Sequence, residues 1–238
     1  MTDSIVGYEE PVSSEIGVKE GESQIQISNL TKVYKRDDVE TVAIENFSLD
    51  IKKGELISIV GPSGCGKTTI LRMIAGLLSP TSGTIVIEGR PCIEPGPDRG
   101  MVFQDFALLP WRTVIKNVEL GLEIAGVPKE ERTQRAEKYL EIVGLEKFRD
   151  SRVNELSGGM KQRVGIARAL VNKPDVLLMD EPFGALDAQT RNLMQAGLIK
   201  ILDKTDQTII FVTHSVDEAV YLSAVSYTHL RAHETGAY

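Results

Sequence analysis

The sequence predicts an α/β fold: a P-loop core with a parallel sheet, an N-terminal antiparallel β-subdomain and an inserted α-helical subdomain. Three observations carry that prediction. ELISIVG is a continuous apolar run, and the later short runs TIVIEG, GMVFQD, DVLLMDE and TIIFVTH end in polar residues, as buried parallel strands do where ligands collect at their C-terminal edges. A glycine-rich segment, GPSGCGKTT at 61–69, stands directly between the first of these runs and a helical run, TTILRMIAGLL. Between about Asp105 and Glu155 no comparable strand run occurs, and the pattern is helical.

Taken in order, residues 1–23 read as a flexible acidic lead-in, without the basic start and apolar run of a secretory signal. From Gln24 to Ile51, QIQISNLTKVY and TVAIENFSLDI alternate apolar and polar residues as half-buried strands do, with RDDVE as the turn between them. ELISIVG, the glycine loop and TTILRMIAGLL then open a βαβ unit. The helical insertion covers about 105–160. Within it, VPKEERTQRAEKYLEIVGL predicts one long helix: Pro128 suits a first turn, Ala136, Leu140 and Val143 share a face, and Gly144 suits the stop. The domain so drawn spans 24–223.

At 238 residues and 42% hydrophobic, the chain can bury one substantial core with a small appendage. A net charge of −7, with Lys and Arg scattered among acids, argues against a nucleic-acid partner. No stretch approaches the roughly 18 apolar residues of a membrane span, so a membrane role must come through a partner. Two cysteines, Cys65 and Cys92, make no disulfide framework and suit a reducing cytoplasm.

GPSGCGKT matches G-x-x-x-x-G-K-[ST] at Gly61, Gly66, Lys67 and Thr68, with Pro62, Ser63, Gly64 and Cys65 inside the loop and Thr69 following. The glycines let backbone N–H groups face phosphate oxygens, Lys67 neutralises the β and γ phosphates of ATP, and the Thr68 hydroxyl ligates Mg²⁺. DVLLMDEP places two acids at the end of a buried strand, where bare carboxylates are costly without a cation or water to face. Asp180 is expected to hold Mg²⁺, and Glu181 to accept a proton from an attacking water. In LSGGMKQR, Ser157 stands at an N-cap and Gly158 and Gly159 bare the first N–H groups of a helix, a second anion site. That second grip makes sense if it closes over a nucleotide held by another subunit; the same residues would also serve as an ordinary capped helix. Cys65, at a helix N-terminus, is a candidate for alkylation that ATP would block, or a small residue that simply fits.

LSGGMKQR resembles the signature motif of ABC-type ATPases, and the span from about Ile25 to Leu222 follows that family's order of motifs. The resemblance implies a P-loop NTPase that binds ATP and Mg²⁺ and pairs head to tail, with Leu156, Ser157, Gly158, Gly159 and Gln162 facing the other subunit's ATP. It implies further roles: Tyr34 as the aromatic that stacks on adenine, Gln104 as the glutamine that senses γ-phosphate, Mg²⁺ and the permease, Asp187 in GALD as the loop touching the opposite subunit, and His214 as the switch histidine. Tyr34 is also readable as a sheet-surface tyrosine, and His214 as a structural histidine. GPDRGMVFQDFALLPWRTVIKNVELGL and DEPFGALDAQTR are similar to the nitrate, aliphatic sulfonate and taurine importers, implying an integral-membrane permease, a periplasmic solute-binding protein and a place on the cytoplasmic face of the cell membrane. LLPW then lies where a permease helix docks, or in an internal packing cluster. A soluble ABC ATPase would show tandem domains, coiled coils or basic insertions, which are not written here.

Residues 224–238 depart from the family pattern and read as a non-native tail, which is expected to leave a sheet edge uncovered and could leave a binding module that no longer turns over. His229 and His233 there have i, i+4 spacing but no third ligand for a metal.

Overall fold

The computed structural model describes residues 23–36, 39–202, 207–222 and 225–227. The lead-in, Asp37 and Asp38 of the first turn, and His229 and His233 lie outside the described residues.

The strands are β1 (Ile25–Arg36), β2 (Val39–Ile51), β3 (Leu56–Val60), β4 (Ser82–Ile87), β5 (Arg90–Pro91), β6 (Arg99–Val102), β7 (Val176–Asp180), β8 (Thr208–Thr213) and β9 (Val225–Tyr227). The helices are α1 (Lys67–Ile74), α2 (Val114–Val118), α3 (Leu120–Ile124), α4 (Lys129–Ile142), α5 (Gly158–Leu170), α6 (Ala188–Leu202) and α7 (Val216–Leu222). Two sheets result: an antiparallel one in the order β2-β1-β4-β5 and a parallel one in the order β6-β7-β8-β3-β9.

Two sequence expectations change. TIVIEG does not join the parallel sheet: β4 pairs antiparallel with β1, Ile25 opposite Ile87 and Ile27 opposite Ile85. A short buried run looks the same in either sheet, and only its pairing partner separates them. Nor is the edge beside β3 left bare, because β9 pairs with it in parallel register, Ile57 with Val225 and Ile59 with Tyr227.

The side-chain period of two sorts the parallel sheet's residues onto two cores. Val176, Leu178, Ile210 and Val212 face α1 and the antiparallel sheet, packing with Ile25, Ile27, Ile70 and Ile74. Leu177, Met179, Ile209 and Phe211 face the other way, against Ile166 and Leu170 of α5 and Leu198 of α6. A third cluster joins Val114, Val118, Leu122, Ala136 and Leu140 to Val164, Ala167 and Val171, so α5 serves both the sheet and the helical region. Ala136, Leu140 and Val143 are buried as the helical spacing of α4 predicts. Pro128 sits just ahead of α4 with ψ 146°, and Gly144 ends it at φ 65°. That stop is a Schellman closure, with Leu145 N–H donating to Leu140 O at 2.8 Å and Gly144 N–H to Glu141 O at 3.0 Å. No helix among the described residues is long and apolar enough to cross a membrane.

Candidate active site

β3 runs straight into the glycine loop, which leads into α1. Gly66 has φ 96°, and a Cβ built there would lie 2.4 Å from Ile44 Cδ1 and 2.5 Å from Ala43 O, so the position admits only glycine. Gly61 has a neighbour of its own: a Cβ there would stand 2.7 Å from Cys65 Sγ. Pro62, Ser63 and Gly64 form the exposed lip, while Cys65 is buried behind it. The Lys67 ammonium is held across the loop, donating to Gly61 O and Pro62 O at 2.8 Å each. A phosphate entering this loop meets a cation already placed.

Thr68 Oγ1 donates to Asp180 Oδ1 at 2.9 Å, joining the start of α1 to the end of β7. Asp180 is 2% exposed. Burial pushes its carboxyl above the ordinary range and the Glu181 charge adds to this, while the Thr68 bond, Arg72 and Lys67 oppose it. A buried carboxylate beside a hydroxyl is a hard-oxygen donor pair that suits Mg²⁺ completed by phosphate and water. No cluster of three or more His, Cys, Asp or Glu side chains suited to a metal occurs among the described residues.

Glu181 leaves the strand with φ 47°, its N–H still bonded to Val212 O at 3.0 Å, and its Oε2 stands 3.4 Å from His214 Nδ1 past the end of β8. Non-glycine residues held left-handed concentrate at functional sites, since the strain persists only where the surroundings fix it. Here it turns the carboxylate off the strand toward His214. Gln104 is exposed two residues beyond β6, which pairs with β7 through Val102 and Met179. Asp180, Glu181, His214 and Gln104 therefore share one C-terminal sheet edge, where ligands bind in open α/β sheets.

Tyr34 reaches this site from the antiparallel sheet. The residue is 41% exposed, its Oη stands 3.4 Å from Thr69 Oγ1, and Lys32 Nζ lies 5.5 Å from the ring centroid. No motif singles out Lys32, although its i, i+2 spacing from Tyr34 puts both on one strand face.

Ser157 caps α5, accepting from Met160 N–H at 3.3 Å. The signature divides into an exposed and a buried part. Ser157 and Gly158 are exposed, while Leu156 and Gln162 are buried, Gln162 at 1%. Those two hold the turn from inside, so that of the five it is Ser157 and Gly158 whose surfaces lie open. A Cβ on Gly159 would lie 3.4 Å from Ala185 O and 3.2 Å from Leu186 Cδ2, so within one chain the signature turn abuts GALD. Asp187 is exposed and caps α6, accepting from Thr190 N–H at 3.0 Å, and the Thr190 side chain together with that N–H holds its carboxyl below the ordinary range. Trp111 is 69% exposed, which removes it from any packing cluster.

Comparison with known proteins agrees with this geometry. A family model described as ABC transporter matches residues 44–184. The chain is 50% identical over 199 residues to the nitrate import ATP-binding protein NrtD of Synechocystis sp., covering 84% of this chain and 75% of that protein. It is 48% identical over 199 residues to the taurine import ATP-binding protein TauB of Roseobacter denitrificans, covering 83% and 74%. Among solved structures, a dimeric ABC transporter cassette, described as bacterial, superposes with a TM-score of 0.78 at 39% identity, covering 83% of this chain and 90% of that one. The same cassette in a post-hydrolysis state bound to ADP and Pi gives 0.77 at 38% identity, with the same coverage. With its phosphate loop, acidic strand end and signature turn set in this order on this sheet, the chain belongs to the ABC transporter family and is an ATP-hydrolysing member of it.

Proposed function

We propose that this chain is the ATPase subunit of an importer for a small anion such as nitrate, an aliphatic sulfonate or taurine. The observation that carries the mechanism is the pairing of Thr68 with Asp180 beside the Glu181–His214 contact at one sheet edge. Relatives of about half identity bear nitrate and taurine import names, which favours an importer of small anions.

In this reading the loop N–H groups and Lys67 hold the ATP phosphates, and Tyr34 offers the ring face away from Lys32 to adenine. Thr68 and Asp180, with Gln104 on the same sheet edge, would hold Mg²⁺, which would neutralise charge on the transferring phosphoryl group. Glu181 takes the proton of the attacking water, and His214, donating to the γ-phosphate, keeps that carboxylate in place. The exposed Ser157–Gly159 turn and Asp187 meet the nucleotide of a second copy, so that ATP closes a head-to-tail dimer. In the same reading the exposed Trp111 loop docks in a hydrophobic groove of an integral-membrane permease, the subunit sits peripherally on the cytoplasmic face of the membrane, and a periplasmic solute-binding protein acts through the permease.

The test is Mg·ATP hydrolysis by the purified protein and its Glu181→Gln variant, with mass in solution read by light scattering. Turnover in the parent and an ATP-dependent dimer trapped by the variant are expected. A folded, ATP-binding chain that shows neither turnover nor dimer would overturn the reading.

A further inference from the structure

The loop between Gln104 and α2 is held in a form that its own residues disfavour. Phe106 and Ala107 are both left-handed, at φ 63° and 46°, a region that crowds an L side chain against its backbone. Neither is a glycine, and two such residues in succession need an external restraint. That restraint comes from α5. The guanidinium of Arg168 forks onto the two carbonyls, Nη1 donating to Ala107 O at 2.6 Å and Nη2 to Phe106 O at 2.9 Å. Gly165, one turn earlier, lies beside the same loop: a Cβ there would stand in ordinary contact, 3.7 Å from Phe106 O. Burial lowers the guanidinium pKa, and the two carbonyl dipoles face this cation.

The far side of the same loop is fixed by Asn117, fully buried on α2. Its Oδ1 accepts from Leu109 N–H at 2.8 Å, and its Nδ2 donates to Leu109 O at 3.1 Å and Thr113 O at 3.0 Å. The loop thus carries Gln104 at one end and exposed Trp111 at the other, with Arg168 gripping between them. α5 itself begins at the Ser157 turn.

We propose that Arg168 is a positioning residue whose fork locks the Phe106–Ala107 backbone to α5, so that the Gln104 loop, Trp111 and the signature turn move as one body. The proposal rests on the functional reading above, in which Gln104 and Ser157 face nucleotide; Arg168 touches none itself. A planar fork suits the task, because an ammonium on a flexible stem does not hold two adjacent carbonyls in fixed geometry.

Trp111 is the sole tryptophan of the chain, so its fluorescence anisotropy reads this loop directly, with or without turnover. In the full chain, Arg168→Met is expected to lower nucleotide-free Trp111 anisotropy and to reduce kcat roughly tenfold while KM for ATP stays within about twofold, because the phosphate loop is untouched. Arg168→Lys should fall between, and in an Ala107→Gly background, where the strain is relieved, the Met substitution should cost less. Arg168→Met with the parent's Trp111 anisotropy and kcat overturns the proposal. Should Arg168→Met fail to fold, Arg168→Lys decides: lowered anisotropy at the parent's melting temperature supports the clamp, and parent-like anisotropy overturns it. Failure of the functional reading looks different, as a parent chain without ATP turnover in which the Trp111 difference between variants persists.

Discussion

Gly66 and Asp180 show how single residues are committed to the site. Gly66→Ala would force a side chain into a left-handed backbone against Ile44 and the Ala43 carbonyl. We expect a loss of about 2 kcal/mol or more in stability and no detectable ATP binding, measured by thermal denaturation and nucleotide titration. Asp180 works in the opposite sense, because a buried carboxylate beside Glu181 is a cost in the nucleotide-free protein. Asp180→Asn keeps an oxygen for the Thr68 hydroxyl and removes that charge. It should melt higher than the parent without nucleotide yet lose on the order of 100-fold in Mg·ATP hydrolysis; a lower melting point would show that the charge is not a burden. At this scale the sequence is explicit about position: its spacing sets Lys67 and Thr68 in the phosphate loop and Asp180 and Glu181 at a strand end, where the structure brings them together. It was silent on Arg168, whose partners are carbonyls of Phe106 and Ala107 and so leave no side-chain signature.

Among the elements, α2 and α4 show what holds the helical region. Glu119 is wholly buried at the end of α2, accepting from Lys116 Nζ and from Thr133 Oγ1 of α4 at 2.6 Å each, with Arg132 close by. Burial alone would raise its pKa, but the Lys116 and Thr133 bonds and the two positive charges outweigh it and hold the carboxyl below the ordinary range. A lowered folded-state pKa means stability that is fully present above the unfolded carboxyl's pKa and lost as pH falls through the folded one. Glu119→Gln should therefore cost about 1–3 kcal/mol at neutral pH, and the gap to the parent should narrow steadily below about pH 4, as chemical denaturation at several pH values would show. A gap that stays constant with pH would mean that shape, and not charge, holds α2 to α4. Strand and helix types were legible from periodicity in most elements, as with Ala136, Leu140 and Val143 on α4. The exception is instructive: TIVIEG is buried enough to read as a core strand, and only its pairing with β1 reveals it as antiparallel.

For the molecule as a whole, the signature turn is exposed and abuts the GALD loop of its own chain. If each ATP lies between one chain's Lys67 and the other's Ser157, two inactive variants should complement each other. Lys67→Ala and Ser157→Arg chains, each inactive alone, should regain turnover when mixed, up to about a quarter of the parent's, because half the dimers then hold one intact site. A mixture as inactive as its components would place both grips on one chain's nucleotide.

By itself, the sequence determined the chemistry and the order of parts: a phosphate loop after a strand, two acids ending another, and a capped glycine turn opening a helix. These are local patterns, set by spacing along the chain, and spacing survives translation into backbone geometry. What only the tertiary structure decided are the relations between distant segments: β4 going to the antiparallel sheet, Tyr34 meeting Thr69, Leu156 and Gln162 turning inward while Ser157 stays out, and Arg168 gripping a loop some sixty residues earlier in the chain. Each depends on which faces pack together, and packing is settled by the whole core at once and not by any one stretch of the chain.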